Sequence, residues 1–393
     1  MFRDIRIIHT ADWHFGNPYR NYAAGLSREL RKQAFLALSE LQSLIQKEAC
    51  DLLVFAGDTF HKSLASMPEI LDFDRFLSEV EARYIIVLAG NHDPYFPGSS
   101  WSKMRAFNDP RVILVAEDKP YYDLPELGLR IFARSFKAKQ ARKRLYPEKL
   151  ESRADYYNLL IAHGELVQAG QSSLYQPLSK AWLEAQDIDL CLLGHIHQRQ
   201  VQYLGSRKLP VIYPGSPQSL GWGECGLRGV EVIELLAGQR KAIKNYFLPL
   251  SGSRFIQQKI DLQKLLSEAK TSEAEQDKVT YLAGKILTLA KSWPEYRPER
   301  DLLKLDLYGE LDFNLALSSL ENYLSRHLFY LELNDYTQAQ LDLTQVQEAE
   351  SFIGAAYRES RKLIAATSSE QDELLINAAW NLLKRKYGGW NEI

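Results

Sequence analysis

Several features that would commit this chain to an unusual environment are missing. Its 393 residues include three cysteines, Cys50, Cys191 and Cys225, scattered and odd in number. That argues against a disulfide framework or a cysteine-based zinc site and suits a reducing compartment. No apolar run approaches the ~20 residues of a membrane span. The opening MFRDIRIIHTADWH enters a strand at once and holds no signal-peptide stretch, so a cytoplasmic protein is expected. An excess of one charge is missing too: the formal net charge is −2, which does not mark a nucleic-acid binder, although a local basic patch would suffice for one. Fixed-period repeats and low-complexity segments are absent. What remains is ordinary globular composition, 46% hydrophobic and 25% charged, in a chain long enough for two or three domains.

What is present is an alternation of strands and helices. Strands are expected over 5–9, 52–56, 84–89, 130–136, 159–163, 188–193, 211–213 and 229–236, with helices over about 27–49 and 67–81. The near-continuous Val/Ile/Leu character of the strands implies that both sheet faces are covered, as in a layered α/β domain. A turn-rich stretch at 249–253, within FLPLSGSRF, suggests a boundary, giving a first domain over 1–250. A smaller α+β unit over 251–343 follows, with strands at 255–261, 302–307 and 329–333 and helices at about 262–290 and 315–324. The segment 344–393 reads as two helices joined near 367–369, with Thr344 and Gln347 as a capping box and Ser369 as a second cap.

Residues 188–199, IDLCLLGHIHQR, end an apolar run in Gly194, His195, Ile196 and His197. Alternating side chains put the two histidines on one face of a strand. Seven of the eight histidines precede residue 200. Asp12 and His14 follow the first strand, Asp58 and His61 the second, and Asn91, His92 and Asp93 the third; His163 ends a later one. Ligands in α/β sheets gather outside the carboxyl ends of strands, so these residues converge although they are far apart in sequence. Imidazole, carboxylate and amide oxygen together suit a borderline divalent ion such as manganese. Two such ions bridged by a carboxylate, here Asp58, form a clamp for in-line phosphoryl displacement.

The segments D-x-H, G-D, G-N-H-D, a lone His and G-H-x-H occur in that order, and the pattern resembles the calcineurin-like metallophosphoesterase superfamily. The resemblance implies a layered β-sandwich flanked by helices, with a smaller α+β capping domain and a C-terminal helical segment. It also implies two metal ions, one held by Asp12, His14, Asp58 and His197 and the other by Asp58, Asn91, His163 and His195. His92 would stabilise or protonate the leaving oxygen, with Asp93 orienting its ring. Phosphoprotein phosphatases carry an Asp three positions after the bridging Asp, where this chain has His61 in GDTFHKS. That feature resembles the SbcD/YhaO-type DNA repair exonucleases, in which the matching histidine helps seat the DNA strand.

By that resemblance the protein is a manganese-dependent DNA nuclease in double-strand-break repair, 3′-to-5′ on duplex ends with endonuclease capacity. Its tail would dock on an SbcC-like coiled-coil ATPase, and a homodimer is compatible. The tail stripe is Val346, Phe352, Ile353, Tyr357, Leu363, Ile364, Leu375, Ala379, Trp380 and Leu383, and packing on the chain's own core is its alternative fate. In YPGSPQS, Tyr213 and Ser216 are expected to shape the site. The basic stretch Lys137, Lys139, Arg142, Lys143 and Arg144 reads either as solvated charge on a helix or as a grip on DNA phosphates. Two alternatives stand beside the nuclease: a small-molecule phosphodiesterase of the same fold, and a weakly catalytic DNA-end scaffold.

Overall fold

A computed structural model describes residues 4–380 apart from 169, 238–241, 268–274, 295, 340–342, 368, 370–371, 373–374 and 378, and gives only the backbone at 275–277, 339 and 343–345. Leu383 of the expected tail stripe and the side chain of Thr344 lie outside the described residues. The chain divides into two compact units, Met1–Arg254 and Phe255–Ile393.

The first unit begins with β1 (Ile5–Thr10), α1 (Ala24–Lys47), β2 (Leu52–Ala56), α2 (Met67–Glu79), β3 (Tyr84–Leu88) and β4 (Val112–Leu114). It continues through β5 (Tyr122–Leu124), β6 (Leu129–Ala133), β7 (Tyr157–His163), β8 (Leu166–Val167), β9 (Leu178–Ser179), α3 (Lys180–Glu184) and β10 (Leu190–Gly194). It closes with β11 (Gln200–Leu204), β12 (Leu209–Tyr213), β13 (Gly229–Leu235) and β14 (Ile243–Pro249). Two six-stranded sheets result, ordered β14-β13-β1-β2-β3-β4 and β11-β12-β10-β7-β6-β5. β1 through β4 run parallel, as do β6, β7, β10 and β12, so each sheet presents a row of carboxyl ends on one edge.

Strand alternation explains why the sequence reads as unbroken apolar runs. Ile7, Val54, Ile86 and Leu88 face the second sheet and pack with Ile131, Ile161 and Leu192. Their neighbours Ile8, Phe55, Ile85 and Val87 face outward onto Leu38 and Leu41 of α1 and Ile70 and Phe73 of α2. On the far side Leu160, Cys191 and Leu193 are covered by Trp182, Leu183 and Tyr146. The helix bounds follow local signals: Pro68 sits in the first turn of α2, and the Glu69 carboxylate accepts the Ser66 N–H at 2.8 Å.

Among the strands that escape sequence reading, β5, β11 and β14 lie at sheet edges and have mixed polarity, such as QVQYL, without a clean period. The basic stretch is not helical: residues 137–150 form a loop whose Ala141 makes an isolated parallel bridge with Tyr175. Backbone bonds from Ala141 N to Leu174 O (2.8 Å) and from Gln176 N to Ala141 O (2.7 Å) take the groups a helix would need.

The second unit holds β15 (Phe255–Asp261), α4 (Leu262–Ser267), α5 (Glu275–Ser292), β16 (Leu302–Tyr308), β17 (Glu310–Leu311), α6 (Leu317–Leu324), β18 (Tyr330–Asp335) and β19 (Gln338–Ala339). Its parallel sheet β15-β16-β18 packs Leu303, Leu305 and Leu307 with Leu282 and Ile286 of α5 and Leu320 of α6. Of the helix expected over 262–290, residues 262–267 and 275–290 are helical, and 268–274 lie outside the described residues. Two helices follow, α7 (Leu343–Glu348) and α8 (Phe352–Ala366), and Ser369 Oγ accepts the Asp372 N–H beyond them. Among the described residues, no helix is long and apolar enough to cross a membrane.

Candidate metal centre

The carboxyl ends of β1, β2, β3, β7 and β10 meet at one edge of the sandwich, and the loops after them carry the polar residues. The first two loops are zipped together: Asp12 N donates to Gly57 O at 3.1 Å, and His14 N to Asp58 O at 3.0 Å. This crossing bends the backbone sharply. Asp12, His14, Asp58 and His195 all take positive φ, at 57°, 47°, 51° and 98°. Non-glycine residues rarely do so, and such strain collects where function requires a side chain to be aimed. Trp13, between Asp12 and His14, points the other way and stacks on Phe15 in the core. The motif glycines leave room for this crowding. A Cβ on Gly57 would strike His163 Nδ1, and one on Gly90 would strike the Asp58 carboxylate.

Seven expected ligands come together in two overlapping sets. In the first, His14 Nε2 lies 3.2 Å from His197 Nε2, and Asp12 Oδ1 lies 4.0 Å from the same His197 atom. In the second, Asn91 Oδ1 lies 3.0 Å from His163 Nε2 and 3.1 Å from His195 Nδ1. Asp58 Oδ2 stands between them, 3.7 Å from His14 Nε2 and 3.3 Å from His163 Nε2. The donor set fits divalent cations: ligand bonds of ~2.1 Å at roughly right angles put neighbouring donors about 3 Å apart. Three of the rings also have an outward anchor that turns one nitrogen into the site. His163 Nδ1 faces Ala56 O at 2.8 Å, His195 Nε2 faces Glu165 Oε1 at 3.2 Å, and His197 Nδ1 faces Glu224 Oε1 at 2.6 Å. His14 Nδ1 is buried with no partner among the described residues.

Burial and charge pull the groups apart. Burial raises the Asp12 carboxyl to about 6, against the charges of His163 and His197. Burial also works upward on Asp58, but His163, His14 and His92 outweigh it and leave that carboxyl below its ordinary range. Burial works downward on His163, yet the Asp58 charge and hydrogen bond raise it to about 9. Burial and the His163 charge lower His195 to about 4. Packed acids and imidazoles of this kind hold protons that a cation displaces.

His61 and His92 stand beside His14, with ring centroids 5.7 Å and 4.7 Å from it, and 5.6 Å from each other. His92 is exposed, its N–H donates to Asp58 Oδ1 at 2.8 Å, and its Nδ1 faces His61 O at 3.2 Å. Asp93 does not orient that ring. Its two oxygens accept the Phe60 and Gly90 N–H groups at 2.8 Å and 2.7 Å, so it is buried as a clamp between the second and third loops. Burial, then the Asp58 charge, raises its pKa to about 7.

Of the basic stretch, Lys137 pairs with Asp118 at 2.6 Å, and Arg144 pairs with Glu148 at 2.6 Å while lying over the Trp182 ring. Lys139, Arg142 and Lys143 are exposed. The Ala141–Tyr175 bridge ties their loop to the centre, because the Tyr175 ring packs 4.7 Å from His195. Tyr213 Oη donates to Gly164 O at 3.0 Å, and Ser216 Oγ to Glu224 Oε2 at 3.0 Å; both shape the surroundings. Sequence reading missed Glu165, Tyr175, Glu224 and Gln176, whose side-chain amide donates to His163 O at 2.8 Å. Glu165 has a signal, two positions past His163 in the loop that follows the strand. Glu224, in LGWGEC, has none.

Residues 5–199 match the family model described as calcineurin-like phosphoesterase. The chain is 23% identical over 374 residues to the Bacillus subtilis protein named "Uncharacterized metallophosphoesterase YhaO", covering 91% of this chain and 88% of that one. It is 26% identical over 285 residues to the SbcD component of the SbcCD nuclease of Escherichia coli, covering 63% of this chain and 69% of that one. It is 25% identical over 345 residues to "DNA double-strand break repair protein Mre11" of Methanosarcina acetivorans, covering 82% of this chain and 49% of that one.

Proposed function

The chain carries a calcineurin-like metallophosphoesterase domain, and from that premise we propose that it is a metal-dependent DNA nuclease. The observation that carries the reading is the reach of one oxygen, Asp58 Oδ2, to both donor sets, 3.7 Å from His14 and 3.3 Å from His163. Asp12, His14, Asp58 and His197 would hold one divalent ion, and Asp58, Asn91, His163 and His195 the other, with manganese as the native metal. Such ions make a water acidic enough to attack phosphorus at neutral pH and offset charge in the transition state. The chain supplies the rest. The backbone N–H of His92 fixes the free oxygen of Asp58, and its Nδ1–H, given to the His61 carbonyl, orients the ring so that, when it is protonated at both nitrogens, Nε2 would give its proton to the departing sugar oxygen. Asp93 acts at a distance by holding the backbone of both loops.

The DNA substrate is supported by the nuclease names among the relatives and by two features of the rim. His61 is half-buried beside His14 and His92, with Lys62 and Arg20 near enough to lower its pKa after burial and His92. Lys139, Arg142 and Lys143 project from a loop tied to Tyr175, where they would contact phosphates without reading sequence. In this reading residues 251–343 cap the nuclease domain and 344–393 dock on an SbcC-like ATPase, with the protein acting in the cytoplasm.

The experiment is hydrolysis of end-labelled linear duplex with manganese, with and without the ATPase, by the protein and by Asp58→Ala. The protein should shorten the duplex from its 3′ ends. The variant, lacking the bridge, should be slower by about a thousandfold or more, several kcal/mol of transition-state stabilisation. Equal turnover by Asp58→Ala would sink the two-ion reading. Cleavage of cyclic nucleotides with intact duplex would replace DNA by a small phosphodiester.

A further inference from the structure

Glu224 belongs to no expected motif, yet it is held more firmly than a rim carboxylate requires. Its Oε1 lies 2.6 Å from His197 Nδ1. Its Oε2 accepts the Ser216 hydroxyl and the Leu220 N–H, both at 3.0 Å. Its carbonyl accepts the Ser219 hydroxyl at 2.7 Å and Arg228 Nε at 3.1 Å. The same arginine reaches round to the His197 carbonyl, Nη1 to O at 2.5 Å, and the Ser216 N–H donates to that carbonyl at 3.0 Å. Backbone and ring of His197 are thus gripped by one segment, 216–228.

The His197 side chain is 28% exposed, so its packing alone leaves room for a ring flip. A carboxylate at Nδ1 requires the proton on Nδ1 and leaves the Nε2 lone pair facing inward, 3.2 Å from His14 Nε2. The contrast with its neighbour is informative. Glu165, opposite His195, is 34% exposed and meets the ring at the longer distance of 3.2 Å.

We infer that Glu224 is a positioning residue that fixes the tautomer and orientation of His197 and thereby sets the affinity of the first cation position. The inference rests on the two-ion reading above. An outer carboxylate of this kind is worth about 10–100-fold in metal affinity.

The test uses the full-length, metal-free protein titrated with manganese chloride by calorimetry, for the wild type, Glu224→Gln and Glu224→Ala. Two binding events are expected in the wild type. The alanine variant should lose about 10–100-fold at one of them, the glutamine variant less, and the other event should stay within about threefold. Nitrogen-15 shifts of the histidine rings give a second readout without metal. At alkaline pH, where the ring is neutral, His197 should be the Nδ1–H tautomer in the wild type and a mixture in both variants, which loosening of the loop alone would not produce in the isosteric Glu224→Gln. Two unchanged affinities, or an unchanged tautomer, would overturn the inference. Fewer than two events in the wild type would instead refute the two-ion reading, and this inference with it.

Discussion

At the scale of single residues, the centre is built by bending backbone rather than by choosing unusual side chains. Asp12, His14, Asp58 and His195 are ordinary residues at positive φ, each costing of order 1–3 kcal/mol. Paired loops hold them there, and Asp93 clamps two of those loops through the Phe60 and Gly90 amides. Three consecutive residues face three ways: Asn91 faces His163 and His195, His92 faces solvent and Asp93 faces backbone. On the two-ion reading, replacing His92 by Asn should leave both manganese ions bound while kcat falls by ~10²–10⁴. Elemental analysis of the purified variant checks the first half, and loss of bound manganese would make His92 a ligand.

At the scale of elements, the strands aim the donors and the loops after them decide the surroundings. The bridge from Ala141 to Tyr175 turns a basic loop that reads as a solvated helix into part of the rim. The helices after β19 behave differently. Val346 packs with Tyr357 and Trp380 in a small cluster separate from the leucine core of the second unit, while Leu363 and Leu375 are 50% and 64% exposed. An amphipathic face exposed in this way among the described residues suits a partner's groove. Truncation after residue 342 should leave the melting temperature within a few degrees and generic phosphodiester hydrolysis unchanged, and abolish pull-down by an SbcC-like ATPase. Aggregation of the shortened protein would show that α7 and α8 belong to its own core. Ile353, 1% exposed, makes that outcome a real alternative.

At the scale of the whole molecule, the buried charge of the centre links stability to pH and to metal. Without a cation, Asp58 raises His163 from 6.5 to about 9. A raised histidine contributes stability that is fully present below its unfolded value and is lost as pH rises through the folded one. The metal-free protein should thus melt at progressively lower temperature between about pH 6.5 and 9. The manganese-loaded protein should not, because the ion replaces that proton, and binding near pH 7.5 should release about one proton, measurable by calorimetry in buffers of different ionisation enthalpy. A flat metal-free profile would mean that His163 is neutral throughout. The sequence alone determined the layered α/β class and singled out the seven side chains that meet at one edge of the sandwich, because strand periodicity and the ends of parallel strands are local signals. Tertiary structure alone decided what stands behind those donors: Asp93 turned to backbone, the basic stretch folded as a loop, and Glu224 brought against His197. Such contacts join segments far apart in the chain, where neither spacing nor residue type records which partner a polar side chain will meet.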